Sequence, residues 1–198
     1  MRFTMTRGRW MDLAWVLFLV VLWFTGGFTW LQSQLLRVVA RAPKTVEAAA
    51  VTPIADATWD WRLRDLDGNF HSLREFQGKP LFVNRWATWC GPCLAEMPSI
   101  KRLHEAYGDR IAVVLVSDEN PDVLLAWLGR NGYADLPVYR ATELAPEAFA
   151  SSSIPASWLL DPDGRVVAEH RGAARWDAGS IRESIDVMLA KSKNQEGS

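Results

Sequence analysis

The stretch from Leu81 to Tyr107 constrains this chain more than any other. Leu81-Phe82-Val83-Asn84-Arg85-Trp86 is a short, mostly apolar run that reads as a central β-strand. Cys90-Gly91-Pro92-Cys93 follows three residues later. From Cys93 to Tyr107, Met97, Ile100, Leu103 and Tyr107 recur at spacings of three and four, which predicts an amphipathic helix. Two thiols therefore sit where a strand hands over to a helix N-terminus. There the free N–H groups and the helix dipole stabilise a thiolate, and cysteines so placed have pKa values of roughly 3.5–7.5. Pro92, with its fixed φ, suits the start of the helix.

These are the only two cysteines among 198 residues. A disulfide across so short a loop removes little chain entropy, so stapling is a poor reason for the pair. The spacing favours reversible redox chemistry or metal binding. A zinc site of this type needs a second half-site. There is no further cysteine pair, and His71, His104 and His170 are scattered without ligand spacing. No metal and no other cofactor is expected. Cys90 is the expected nucleophile, and Cys93 the resolving thiol that releases the substrate.

The chain is 49% apolar and carries a net charge of −1, which hides an asymmetry. Residues 1–44 hold Arg2, Arg7, Arg9, Arg37, Arg41 and Lys44 against Asp12 alone, a balance of +5 that leaves −6 for the remainder. A mildly acidic domain behind a basic segment excludes the basic face of a nucleic-acid binder. Met11 to Leu31 is nearly all apolar, with Asp12 its one charge. As a helix it would span about 31 Å, close to the thickness of a bilayer core. Trp10 and Trp30 stand at its ends, where indoles prefer the headgroup region. The reading is a transmembrane anchor at 11–31 behind a cytoplasmic N-terminus at 1–10. A cleaved signal peptide is the rival, with poor cleavage signals. A linker at 32–55, a folded domain at 56–190 and a polar tail at 191–198 complete the organisation.

Within the domain, Trp59 to Leu63 alternates as a half-buried strand does, Asp67-Gly68 marks a hairpin turn, and Phe70 to Leu73 is the returning strand. Ile111 to Ser117 is a buried strand and Pro121 to Asn131 a helix. Leu136 to Tyr139 is a short strand and Pro146 to Phe149 a helical turn. Trp158 to Leu160 and Arg165 to His170 are strands joined by the turn Asp161-Pro162-Asp163-Gly164, and Ile181 to Ala190 is a last helix. This order predicts an α/β fold: a central mixed sheet flanked by helices on both faces, with an added N-terminal β-hairpin.

The segment from Gly78 through Trp89-Cys90-Gly91-Pro92-Cys93 to Glu96-Met97-Pro98 resembles the active-site signature of TlpA/ResA-type thioredoxin-like proteins, and the resemblance covers about Trp59 to Leu189. It implies a thioredoxin-like fold and an exported, membrane-tethered thiol-disulfide oxidoreductase. The domain would be periplasmic or extracytoplasmic, on a bacterial inner membrane crossed once. Its partners would be disulfide-bearing client proteins, with cytochrome c maturation among the possible tasks, and a membrane electron donor. The resemblance further implies that Trp89 packs beside the nucleophile and that Pro155, in Ser153-Ile154-Pro155, is cis and faces the cysteines. Ile154 would offer its backbone to an extended substrate. Trp89, Pro92, Ile154 and Pro155 are thus the substrate-binding set. Glu96, one helical turn beyond Cys93, would accept its proton.

Two positions depart from expectation. Asn84 stands where cytosolic thioredoxins have a buried aspartate, and a neutral amide shifts the proton-accepting task toward Glu96. Arg85 falls in a strand where an apolar residue is expected, so it requires a partner. Trp59, Trp61, Trp127, Trp158 and Trp176 read as packing residues. The alternatives are a disulfide donor or isomerase of the same fold, and a non-enzymatic assembly factor or copper chaperone. A peroxidase is disfavoured, because Ala87 stands where it would need a threonine.

Overall fold

The structure is a computed structural model that describes residues 11–12, 14–17, 41–44 and 52–196, with side chains through Ser192. Of the expected anchor, residues 11–12 and 14–17 are helical, and the rest lies outside the described residues. Among the described residues no helix is long and apolar enough to cross a membrane.

Seven strands form one mixed sheet in the order β2-β1-β5-β4-β3-β6-β7. They are β1 (Arg62–Asp65), β2 (Phe70–Ser72), β3 (Leu81–Arg85), β4 (Ala112–Ser117), β5 (Val138–Ala141), β6 (Ala156–Leu160) and β7 (Val166–Arg171). β3, β4 and β5 run parallel, while β6 and β7 continue the sheet antiparallel beyond β3. β1 pairs antiparallel with both β2 and β5. The helices are α1 (Gly91–Tyr107), α2 (Pro121–Asn131) and α3 (Gly179–Glu196).

β3 and β4 lie at the centre, and every residue of both is buried except Arg85. That is why they read as apolar runs rather than as alternations. Phe82, Val113, Leu115 and Leu159 point to one face, where residues of all three helices join them, Met97, Leu124 and Ile181 among others. Leu81, Val83, Val114 and Trp158 point to the other face. Helices were expected on both faces. This second cluster instead gathers Trp59, Leu73 and Phe149 from three 3-10 turns, Asp56–Asp60, Leu73–Phe76 and Glu147–Phe149, and contains no α-helical residue.

The alternation at Trp59–Leu63 also corrects in detail. Trp59, Trp61 and Leu63 are all buried, yet Asp56–Asp60 is a 3-10 turn closed by Thr58 N–H on Ala55 O. The strand starts at Arg62. Ser72 Oγ donates to Trp59 O, and Arg74 pairs with Asp56 and Asp60, which holds the turn against the next segment. The chain before it is fastened as well: Ile54 N–H donates to Gly164 O, and Pro53 bridges Arg165. Gly164 has φ +84°, and a Cβ there would lie 2.8 Å from the Trp59 ring. Helix α3 continues to Glu196, past the end of its apolar periodicity at Ala190.

Candidate active site

α1 begins two residues earlier than its apolar period, because Cys90 is its N-cap. Cys90 Sγ accepts the Cys93 N–H at 3.3 Å, and Pro92 occupies the first turn, where no N–H is needed. Cys90 and Cys93 form a disulfide, with Cα atoms 5.2 Å apart. Both are buried: Cys90 is 5% exposed and Cys93 fully enclosed. Of the two, Cys90 keeps the small exposure.

The loop before Cys90 is anchored by a contact that sequence reading missed. Glu119, just past β4, accepts from both Thr88 N–H and Thr88 Oγ1–H at 2.7 Å, and from Ser117 Oγ–H at 3.3 Å. Its partner is 31 residues away, and no local pattern links them.

A cleft of about 260 Å³ opens beside the cysteines, lined by Arg85, Trp86, Trp89, Asp118, Glu119 and Ile154 among others. Trp89 was expected to pack beside the nucleophile. It lines the cleft and is 68% exposed. The Ile154–Pro155 peptide bond is cis. Ile154 shares the cleft with Trp89, and Pro155 leads into β6, the antiparallel neighbour of β3. Arg85 ends β3 at the cleft. Its guanidinium lies 3.7 Å from Asp118 and 3.5 Å from Ser151 O, which supplies the partner its position requires.

Glu96 lies on the buried face of α1, 1% exposed. Asn84 Nδ2 donates to its Oε1 at 2.7 Å, while Ala174 N–H and Trp176 Nε1–H donate to its Oε2 at 3.2 Å. Burial penalises the charged form and pushes the carboxyl up to about 8; the donors from Ala174, Asn84 and Trp176 oppose that rise. Asn84 Nδ2 also donates to Ser157 Oγ at 2.7 Å, and the two residues are register partners across β3 and β6. Glu96 is thus a buried acid that changes charge near neutral pH, one helical turn from Cys93.

The expected site residues fall into three groups. Cys90, Pro92 and Cys93 form the helix start. Trp89 and Ile154 line the cleft, and Pro155 follows Ile154 through the cis bond. Glu96 lies buried on α1 with Asn84 bonded to it. Trp176 joins this last group through its indole N–H, a role that its place between Arg175 and Asp177 in the sequence does not signal. Among the described residues, no group of three or more His, Cys, Asp or Glu side chains is arranged to hold a metal ion.

Comparison with known proteins agrees with this geometry. The Redoxin family matches residues 42–185. The chain is similar to the thioredoxin-like protein YneN of Bacillus subtilis, with 31% identity over 116 residues, covering 57% of this chain and 68% of that one. It is similar to the thiol-disulfide oxidoreductase ResA of Bacillus thuringiensis subsp. konkukian, with 28% identity over 130 residues, covering 64% and 71%. Among solved structures it resembles the pneumococcal exposed lipoprotein thioredoxin Etrx1 of Streptococcus pneumoniae, with 26% identity and a TM-score of 0.55, covering 65% and 98%.

Proposed function

The chain belongs to the Redoxin family, among its TlpA/ResA-like thioredoxin-fold members, and from that premise we propose that it reduces disulfides in exported client proteins while tethered to a bacterial cytoplasmic membrane. The ResA relatives are thiol-disulfide oxidoreductases, and the Cys90–Cys93 disulfide at the start of α1 is the observation that carries the reading here. In the reducing direction, the Cys90 thiolate attacks a client disulfide. A Cys90–client bond forms and one client sulfur leaves as a thiolate. Cys93 then attacks Cys90 Sγ, passing its proton to Glu96 directly or through a water. The Cys90–Cys93 bond forms, the client bond breaks, and the second client sulfur departs. The client gains two electrons and the enzyme loses two; of the two protons the client thiolates take up, one is the Cys93 proton relayed through Glu96 and the other comes from water, which received it when Cys90 ionised. A membrane electron donor returns the enzyme to the dithiol.

Trp89 and Ile154 offer apolar side chains to a client segment in a cleft that Arg85, Asp118 and Glu119 also line. Residues 11–31 serve as the anchor, with the domain on the extracytoplasmic side; their length, their apolar character and the flanking tryptophans support this. The pneumococcal relative is an exposed lipoprotein, which supports an extracytoplasmic site of work.

The test is a trap. Cys93→Ser leaves the mixed disulfide unresolved, so clients should accumulate as reducible adducts on Cys90. The Cys90→Ser variant should capture none. Adducts on neither variant would contradict the reading.

A further inference from the structure

Two of the three N–H donors on Glu96 come from one short segment between β7 and α3. Ala174 supplies its backbone N–H and Trp176 its indole Nε1–H, both to Oε2 at 3.2 Å. The segment is fastened by contacts that do not involve the carboxyl group. Gly172 N–H donates to Pro155 O at 2.8 Å. Trp176 N–H donates to Ser99 Oγ at 3.2 Å, and Ser99 Oγ–H reaches Glu96 O at 2.8 Å and Ala174 O at 3.4 Å. Asp177 pairs with Arg102 at 2.7 Å. The indole itself is fully buried, with its ring centroid 4.8 Å from that of Phe82. Its direction is therefore set before it meets Glu96, which is what a donor needs if it is to fix an acid rather than follow it.

Packing alone does not account for this aim. Trp61 and Trp86 are equally buried, and their indole nitrogens reach no hydrogen-bond partner. Trp176 differs in pointing its N–H at the buried Glu96 carboxyl group, on the residue one helical turn beyond Cys93. We propose that Trp176 is a positioning residue of the redox site, whose indole N–H holds the Glu96 carboxyl group and governs its exchange of a proton with Cys93.

This rests on the reading of Glu96 as the proton acceptor. An N–H donor stabilises a carboxylate more than a carboxylic acid, so Trp176 works against the burial that raises Glu96. The groups that hydrogen-bond to the Glu96 carboxyl group are neutral: Asn84 from the sheet, Ala174 and Trp176 from the segment; Ser157 bonds to Asn84 and Ser99 to the Glu96 backbone carbonyl. The segment's charges, Arg175 and Asp177, lie 3.8 Å from each other, and Asp177 is held by Arg102. The titration is thus decided by burial and donors.

Trp176→Phe keeps a ring against Phe82 and removes the N–H. The experiment is a pH titration of the full chain in its disulfide form, where neither cysteine titrates, followed by ¹⁵N resonances. In the parent protein, the Trp176 indole and Ala174 amide should share one midpoint, and Glu96→Gln should abolish it in both. Trp176→Phe should raise the Ala174 midpoint by about one pH unit. It should move the pH profile of client reduction in the same direction. An indole that does not follow the common midpoint, or an unmoved Ala174 midpoint in Trp176→Phe, overturns the proposal. The indole reading needs no variant and so survives a Trp176→Phe chain that fails to fold. Should Glu96→Gln abolish the titration yet reduce clients at the parent rate, the catalytic reading of Glu96 fails while the Trp176–Glu96 coupling stands.

Discussion

Asn84 donates one amide group to Glu96 Oε1 and to Ser157 Oγ, both at 2.7 Å, so the central strand and the active-site helix meet through a neutral donor. Asn84→Asp would set a second carboxyl group at hydrogen-bonding distance from Glu96. Two carboxylates that close cannot both ionise, and they would titrate as a pair sharing one proton. We expect the pair to hold its last proton to higher pH than Glu96 does alone. The variant should lose stability as pH rises from about 5 toward 9, which melting of the disulfide form over that range would reveal.

Glu96 already imposes such a dependence. Its folded pKa, about 8, lies above the ordinary 4.5. The unfolded chain therefore releases this proton first, and stability declines as pH rises from roughly 4.5 to 8. Glu96→Gln removes that decline. It should melt higher than the parent at pH 8, with a gap of a few kcal/mol at most that closes below about pH 5. Client reduction should fall about 100-fold in the same variant. A stability gain joined to an activity loss is the signature of a group kept for chemistry rather than for folding.

Glu119→Ala should slacken the loop that carries Trp89 and Cys90. Thr88 N–H and Oγ1–H would lose a charged acceptor 2.7 Å away, at a cost of about 1–2 kcal/mol. Exchange with a small disulfide should slow by about 10-fold through misplacement of Cys90. Stopped-flow rates beside urea unfolding curves separate the two effects.

How much of this was legible in the sequence depended on how local the determinant was. The cysteine pair at a helix start, and the helix Pro121–Asn131 with Asn120 as its cap and Gly132 beyond its end, follow from neighbouring residues. The Thr88–Glu119 and Glu96–Trp176 contacts span 31 and 80 residues, and neither leaves a periodic trace. Trp176 reads as core because it is core; the direction of one N–H is invisible to hydropathy. The Trp59–Leu63 alternation misled for a related reason. A 3-10 turn running into a strand buried Trp59, Trp61 and Leu63 as an alternating strand would have. Arg85 was legible as a problem but not in its solution, because Asp118 and Ser151 come from other loops.

His71 bridges Glu75 at 2.8 Å and Asp65 at 3.2 Å beside the β1–β2 turn. The hydrogen bond to Glu75, with Asp65 adding to it, raises its pKa against a smaller effect of burial. A raised histidine stabilises the fold below its unfolded pKa of 6.5, and that contribution is lost as pH climbs through the folded value. His71→Ala should therefore cost stability at pH 5–6 and little at pH 9. The pair partners are partly exposed, so the loss should stay within about 1 kcal/mol. Melts at the two pH values decide it.

The account centres on a dithiol held ready to reduce. Its most direct test is the redox state of Cys90 and Cys93 in intact cells, fixed by rapid acid quench and read with a mass-shifting thiol label. A mostly reduced pair is the predicted result, since a membrane donor then keeps the site charged with electrons. A mostly oxidised pair in growing cells, with its donor present, would contradict the account and make the protein a disulfide donor instead.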